Sequence, residues 1–187
     1  MSYTTSQLEY YRQNHFNPGG MDISDRSSWE SHVEKRFNLY QRHLRIPLSL
    51  LRGRPVLEIG PNWGENALVL AAFGADLTLV EPNEQALPRL RSSFNRFGLQ
   101  ARIVELLHDD IQSLSLNSSY DLIIAEGFLY TLHDRNAMLA KIASFLSPGG
   151  LAVISFPDRY GCLLELTKRM ILWRACQLAG VQDMHSR

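Results

Sequence analysis

The residues best suited to chemistry surround a glycine loop in the first half of the chain. An apolar run that carries Glu58 ends at Gly60, and Gly64 follows just before a segment of helical composition. A strand, a glycine turn and a helix in that order bring backbone amides and a helix N-terminus to the carboxyl edge of a sheet. Open α/β folds bind nucleotide-like ligands at that edge. The pattern therefore predicts a site for a small-molecule cofactor.

The composition of this loop narrows the chemistry of the ligand. Asn62 and Glu65 occupy positions where the dinucleotide-binding pattern has glycine, and Pro61 has no N–H to donate. A pyrophosphate needs a row of free amides, whereas this loop offers few of them and places Glu58 and Glu65 nearby. The loop therefore favours a ligand with positive charge and no phosphate, although an ordinary glycine turn of an α/β protein also fits the pattern.

Two further acidic segments lie where a nucleoside is bound in such folds. Glu81, followed by Pro82, ends the second apolar run 21 residues after Gly60, and an acid at this spacing accepts hydrogen bonds from ribose hydroxyls. After the third run, Asp109 and Asp110 precede an isoleucine. An aspartate there can accept a hydrogen bond from an adenine amino group, although paired aspartates are also common turn residues.

These side chains meet only if the strands that carry them end at one edge of a sheet. Short apolar runs predict strands, and helical patterns closed by glycine or proline lie between them. This alternation predicts an α/β fold with a doubly wound, mainly parallel sheet and right-handed crossovers. We expect five strands near 56–59, 77–81, 102–106, 122–125 and 151–156, and helices near 66–73, 84–97 and 136–146.

The chain is expected to have three parts. We expect a helical N-terminal preface over residues 1–53 and the cofactor-binding core over residues 54–157. The last part, residues 158–187, is expected to contain a C-terminal helix from about Cys162 to Leu178. No sixth or seventh strand is predicted, which leaves the fifth strand with an open edge. We expect either that the chain is the N-terminal part of a longer enzyme or that it forms a homo-oligomer through that edge or the final helix.

The composition excludes several classes of partner. Lys plus Arg and Asp plus Glu both number 19 among 187 residues, which argues against a nucleic-acid partner or an anionic membrane. The sequence predicts neither a membrane span nor a signal peptide, so a cytoplasmic location is expected. Cys162 and Cys176 lie about four turns apart in one predicted helix, too far for a disulfide or a shared metal site. No metal site is predicted.

The ordered segments from 54 to 157 resemble those of class I S-adenosylmethionine-dependent methyltransferases. The resemblance implies S-adenosylmethionine as the cofactor and a catalysed methyl transfer. Two features differ from the family pattern, because Asn62 stands where glycine is usual and five strands are predicted where seven are usual. The cofactor-binding residues that the resemblance implies are Glu58, Gly60, Pro61, Asn62 and Gly64 for the methionine end, Glu81 and Pro82 for the ribose, Asp109, Asp110 and Ile111 for the adenine, and Glu126 and Gly127 beside the sulfonium and the substrate.

No catalytic residue is assigned from the sequence. His133, after the fourth strand, fits either a general base or a surface histidine, and a nucleophilic acceptor needs alignment rather than a base. The leading function is methyl transfer to an unidentified, small-molecule acceptor. The alternative is a non-catalytic or truncated S-adenosylmethionine-binding domain, which the missing strands favour, and a nicotinamide-dependent oxidoreductase is disfavoured because GxGxxG is absent. Near the N-terminus, two alternatives are open. Either a lid over the cofactor or a helix packed on the sheet is formed by Tyr10, Tyr11, His15 and Phe16.

Overall fold

The computed structural model of the protein describes residues 22–158 and 160–179, together with Glu9. The chain divides into two compact units, with the boundary between Ser155 and Phe156. The first part of the predicted helical preface, residues 1–21 apart from Glu9, lies outside the described residues. So do the residues expected to form a lid, namely Tyr10, Tyr11, His15 and Phe16.

The first unit contains a five-stranded parallel sheet with the strand order β3-β2-β1-β4-β5. Its first, second and fourth strands consist almost entirely of buried residues, as expected of parallel strands covered on both faces. The strand order reverses between β1 and β4, which is where open α/β sheets form their ligand crevice. The predicted doubly wound α/β fold is confirmed. The strands are β1 Pro55–Ile59, β2 Asp76–Val80, β3 Ile103–Leu107, β4 Tyr120–Ala125 and β5 Leu146–Ile154.

Helices connect the strands, and two of them begin at an aspartate that caps the first turn. The Asp25 carboxylate accepts from the Ser28 N–H at 2.9 Å, and Asp134 accepts from the Ala137 N–H at 2.9 Å. Such caps satisfy amides that have no partner within the helix. The helices of this unit are α1 Arg26–Asn38, α2 Glu65–Ala72, α3 Ala86–Arg96 and α4 Arg135–Ser144; a π-helical turn at Leu39–His43 follows α1, and short 3-10 turns lie at Leu48–Leu51, Gln100–Arg102 and Leu129–Thr131.

The described part of the N-terminal preface shares a hydrophobic core with the sheet. Tyr40 and Leu48 are fully buried in the same cluster as Val56 of β1. The next residue, Leu57, belongs to a second cluster, because successive side chains of a strand point to opposite faces. Residues from the preface therefore pack against one face of the sheet within the first unit.

The fifth strand differs from its predicted bounds. The sequence predicts a turn at 147–150 and a strand at 151–156, whereas β5 begins at Leu146. It pairs with β4 on both sides of the expected turn, and the register shifts between Tyr120, which pairs with Leu146, and Leu122, which pairs with Leu151. The Pro-Gly-Gly segment is therefore a bulge inside the strand, and not a turn before it.

The second unit, in its described part, consists of a loop and helix α5, Leu163–Leu178. An ion pair joins Arg169 Nε to Glu165 at 2.9 Å along this helix. The large apolar side chains of α5 are exposed, so nothing within the described part of this unit buries them. Across the residues that the structure describes, no helix has the length and hydrophobicity needed to cross a membrane.

Two glycines of the loop after β1 predict a difference in stability. Both have positive φ, +72° at Gly60 and +85° at Gly64, so an alanine at either position is expected to cost about 1–2 kcal/mol. A Cβ on Gly64 also lies 3.1 Å from Leu90 Cγ, whereas one on Gly60 meets no atom within 4 Å. Denaturant unfolding of the ligand-free protein should therefore show that Gly64→Ala lowers the free energy of unfolding more than Gly60→Ala. Equal losses would contradict the packing that we describe.

Candidate functional site

Three of the predicted acidic residues meet at the carboxyl edge of the sheet. Glu58, in β1, is paired in register with Leu79 of β2 and Ile124 of β4. Glu81 directly follows β2, and Glu126 directly follows β4. Because β1 lies between β2 and β4, the three carboxylates lie around the point where the strand order reverses. The structure therefore assembles these residues as the sequence predicts.

The glycine loop between β1 and α2 uses its amides within the protein. The Gly60 N–H donates to the carbonyl of Val80 at 2.8 Å, and the Gly64 N–H donates to the carbonyl of Pro61 at 2.9 Å. Three loop residues have left-handed backbone conformations, namely Gly60, Asn62 and Gly64. With these two amides engaged and no N–H on Pro61, the loop lacks three of the donors that a row of free amides for a pyrophosphate would need.

The Glu81 carboxylate ties this loop to the end of β2. Its Oε2 accepts from the Asn62 N–H and its Oε1 accepts from the Asn83 N–H, each at 2.7 Å. Burial raises the pKa of Glu81, and the two amide hydrogen bonds oppose that effect. Each carboxylate oxygen has a second lone pair, so Glu81 retains acceptors for the hydroxyls of a ligand.

Glu58 is as buried as Glu81, but its carboxyl group lacks a complete set of hydrogen-bond partners. Its Oε2 has no hydrogen-bond partner among the described residues. Burial raises the pKa of the Glu58 carboxyl to about 8; Arg36 acts in the opposite direction, while Glu126, Glu65 and Glu81 add to the increase. A cation placed beside Glu58 would favour the ionised form of its carboxyl group.

Arg36 and Tyr40 belong to this site, although the sequence analysis did not identify them. Arg36 Nη2 donates to Glu126 Oε2 at 2.7 Å and to the Tyr40 hydroxyl at 2.8 Å. The guanidinium also lies 5.0 Å from the centre of the Tyr40 ring. Both residues come from the preface, outside the segments whose order resembles a family. Their only signal was a spacing of four, which places two side chains on one helix face and is common in helices.

The adenine-side residues form a turn after β3. The Asp109 carboxylate accepts from the Asp110 N–H at 2.7 Å, and the Asp110 carboxylate accepts from the Gln112 N–H at 2.9 Å. Both aspartates are exposed, so they keep oxygens that are open to a ligand. Ile111 is buried in the second hydrophobic cluster with Leu57.

The remaining predicted residues lie in the segments that follow β2 and β4. Gly127 has a φ of +82°, and its N–H donates to Ser155 Oγ at 2.8 Å. Pro82 is half-buried beside Glu81, and His133 is exposed. Within the part of the chain that is described, no group of three or more His, Cys, Asp or Glu side chains is arranged to hold a metal ion.

A family model described as "Methyltransferase domain" matches residues 29–187 of the chain. That match includes α1 from Trp29 onward and the whole sheet. In sequence, the chain is 25% identical over 112 residues to a tRNA 5-carboxymethoxyuridine methyltransferase of Escherichia coli K12. The alignment covers 59% of this chain and 42% of that relative, so the chain spans less than half of the relative's length.

Solved methyltransferase structures share the fold. The N-methyltransferase NodS from Bradyrhizobium japonicum, in complex with S-adenosylhomocysteine, has a TM-score of 0.60 at 24% identity, covering 82% of this chain and 72% of that one. The magnesium protoporphyrin IX methyltransferase from Synechocystis, with S-adenosylhomocysteine bound, has a TM-score of 0.68 at 17% identity, covering 91% of this chain and 80% of that one.

The burial of Glu58 predicts how the stability of the ligand-free protein depends on pH. Because its pKa is raised when the protein is folded, its stabilising contribution is present below the unfolded pKa of about 4.5 and is lost as pH rises to about 8. The free energy of unfolding should fall by up to about 1.4 kcal/mol per pH unit over that range from this group alone.

Urea unfolding of wild type and Glu58→Gln at pH 6 and pH 9 measures this contribution. The variant should lose less stability than wild type between the two conditions, because glutamine carries no proton to lose. Glu84→Gln, at an exposed position of the loop after β2, is the matched control and should follow wild type. Parallel pH profiles for wild type and Glu58→Gln would contradict the buried, proton-binding Glu58.

Proposed function

Because the chain belongs to this family of methyltransferase domains, we propose that it transfers a methyl group from S-adenosylmethionine to a small-molecule acceptor. The observation that carries the proposal is the acidic carboxyl edge formed by Glu58, Glu81 and Glu126 around a loop that engages the amides of Gly60, Asn62 and Gly64 within the protein. S-adenosylmethionine has a sulfonium, an ammonium and a carboxylate but no phosphate, so it carries a net positive charge. Its charges therefore match this edge better than those of a dinucleotide.

The proposed cofactor lies across the ends of β1, β2 and β4. Its ribose hydroxyls would donate to Glu81, whose oxygens are already oriented by two backbone amides. The methionine end would lie at the loop after β1, the adenine at the turn after β3, and the sulfonium beside the end of β4. The residues proposed to hold it are Glu58, Gly60, Pro61, Asn62, Gly64, Glu81, Pro82, Asp109, Asp110, Ile111, Glu126 and Gly127.

Methyl transfer in this site requires alignment more than proton transfer. A lone pair of the acceptor attacks the methyl carbon opposite the sulfur, the carbon–sulfur bond breaks, and the sulfonium becomes a neutral thioether. Acidic groups that stabilise the sulfonium before the reaction increase binding but do not by themselves accelerate the step. Holding the acceptor in line with the methyl group supplies the rate. The product also carries one positive charge fewer, so the acidic edge should hold it less tightly than the substrate.

The charge of the chain supports a small acceptor. Proteins that bind nucleic acid usually present an excess of basic residues to the phosphates, whereas this sequence has equal numbers of basic and acidic residues. The Escherichia coli relative is named as a tRNA methyltransferase, but it is only 25% identical to this chain over the aligned residues. Assays of methyl incorporation into small amines, acids and hydroxyl compounds, with bulk tRNA as a parallel acceptor, test this part of the proposal; methylation of tRNA alone would overturn it.

Two measurements test the cofactor and the catalysis separately. Isothermal titration with S-adenosylhomocysteine and with NAD is expected to show binding of the first and not of the second. Turnover with an identified acceptor then distinguishes an enzyme from a cofactor-binding domain without catalysis. Binding without methyl transfer to any tested acceptor would favour that alternative.

Glu81 provides the sharpest mutational test of the cofactor site. Removing a charge-assisted acceptor costs roughly 1.5–3 kcal/mol per hydrogen bond, so Glu81→Ala should weaken S-adenosylhomocysteine binding at least about tenfold. The same change leaves two backbone amides without an acceptor, so a lower melting temperature is expected as well. Glu84→Ala, at an exposed acid three residues later, is the control and should leave affinity unchanged. A folded Glu81→Ala protein with wild-type affinity would remove Glu81 from the site.

A further inference from the structure

The basic residues of the chain are unevenly distributed, although their total equals that of the acids. Between Glu34 and Glu58 the sequence has no Asp or Glu, but it has six of the 19 Lys and Arg residues, namely Lys35, Arg36, Arg42, Arg45, Arg52 and Arg54. Residues 42–52 of this stretch are named the basic segment below. Equal totals argue against an anionic partner for the chain as a whole, but they conceal a local excess of positive charge.

Three arginines of the basic segment are available to an external anion. Arg42, Arg45 and Arg52 are all exposed, and no described residue forms a hydrogen bond or an ion pair with their side chains. Arg36 and Arg54, on either side of the segment, differ because each forms an ion pair with a carboxylate. The unpaired guanidinium groups are therefore concentrated within the basic segment.

Exposed leucines accompany these arginines on the same segment. Leu44 is 40% exposed and Leu50 is 66% exposed. Leu48 and Leu51 are instead buried in the hydrophobic cluster that contains Val56 of β1. The buried leucines anchor the segment on the core, so its exposed leucines and arginines share the outer side. Apolar side chains beside free cations are the two components of binding at a membrane surface.

Arg45 has a backbone conformation that is costly for its residue type. Its φ is +58°, and it comes shortly after the π-helical turn at Leu39–His43. A helix often ends at a left-handed residue, and glycine or asparagine takes that position at lower cost. Backbone strain of this kind is associated with functional positions. The free guanidinium is what glycine would lack, so a role for this side chain accounts for an arginine at this position.

Positive and negative charges lie at opposite edges of the sheet. Arg52 and Arg54 lie just before β1, at the edge where the parallel strands begin. Glu58, Glu81 and Glu126 lie at the carboxyl edge, where the strands end. Strands of five residues separate the two edges by roughly 16 Å. An anionic surface would therefore attract the amino edge and repel the carboxyl edge.

We propose that the basic segment is a contact site for the surface of an anionic phospholipid bilayer. Arg42, Arg45 and Arg52 lie among the lipid phosphates, and Leu44 and Leu50 enter the boundary between headgroups and acyl chains. The leucines favour a lipid over a nucleic acid, because nucleic-acid interfaces are polar and stack the bases on aromatic side chains. The contact is peripheral and keeps the carboxyl edge away from the lipid, so it is independent of the proposed cofactor site.

Vesicle flotation of the full chain tests this site. Mixed phosphatidylglycerol–phosphatidylcholine vesicles should bind wild type at least about tenfold more strongly than phosphatidylcholine vesicles, and high salt should abolish the difference. Each arginine near an anionic surface increases binding about fivefold, so changing Arg42, Arg45 and Arg52 together to glutamine should weaken binding at least about tenfold. Leu50→Asn should weaken it about threefold or more without changing its dependence on salt.

Matched variants separate lipid binding from stability and from unspecific attraction. Arg45→Gly removes the charge and the strain of the left-handed backbone, so vesicle binding should fall about fivefold while the melting temperature does not fall. Arg91→Gln removes an exposed charge on α3 and is the control for Arg45→Gln. Val104→Thr changes an apolar side chain of β3 that is 70% exposed and is the control for Leu50→Asn. Neither control should change binding.

Each outcome supports the site or overturns it. Binding of anionic vesicles that depends on Arg45 and Leu50, but not on Arg91 or Val104, supports it. Absence of binding, full binding by the triple arginine variant, or equal losses in Arg45→Gln and Arg91→Gln would overturn it. Binding of bulk tRNA without binding of vesicles would also overturn it, and loss of that binding in the triple variant would assign the segment to a nucleic acid. Titration of the same variants with S-adenosylhomocysteine should give the wild-type result, so this test does not depend on the proposed function.

Discussion

The hydrogen bonds that Glu81 accepts hold two loops in one place, and the arrangement of the carboxyl edge depends on them. One bond comes from the loop after β1 and the other from the loop after β2, so a single buried carboxylate sets the separation of both. The loop after β1 supplies its amide from Asn62 in a left-handed conformation, which asparagine tolerates better than most residues. An asparagine at a position where glycine is expected is therefore compatible with the fold, and its N–H takes part in fixing it.

This constraint also affects the charge of the edge. Because the Asn62 N–H bonds to Glu81, the Gly60 N–H to strand β2 and the Gly64 N–H to the loop itself, these three amides are not free for an anionic ligand, whereas Glu58 and Glu81 stay buried at the edge. Burial makes an unpaired carboxylate costly, and the raised pKa of Glu58 reflects that cost. Arg36 is the cation that limits it, and it reaches the edge from α1. The preface is thus part of the electrostatics of the site as well as part of the core.

The fold and the three acids could be predicted because the signals are local. Apolar runs and glycine punctuation fix the strands and their ends, and residues at the ends of neighbouring parallel strands must meet. The β5 bulge was not predicted, because Pro148 and Gly149 are residue types typical of turns. The segment is part of a strand only because the residues on both sides of it pair with β4. The part that Arg36 and Tyr40 take in the site was not predicted for a different reason. Arg36 bonds to Glu126, 90 residues away in the chain, and Tyr40 bonds to Arg36. No spacing within one segment reveals a contact between residues so far apart in the chain.

The cofactor part and the acceptor part of a transferase site are therefore determined by different physical constraints. The proposed cofactor contacts lie on strand ends held by the sheet register and on a loop fixed by Glu81, so sequence pattern and packing both determine them. An acceptor has to approach the methyl group from the opposite side of the sulfonium, where exposed segments such as the one carrying Tyr130 and His133 follow β4. Exposed segments are under weak packing constraint and accept many side chains, which is how one fold serves many acceptors. For this reason the strand ends carry a specific proposal for how the cofactor is held, whereas the choice of acceptor depends on the exposed segments beyond the sheet edge.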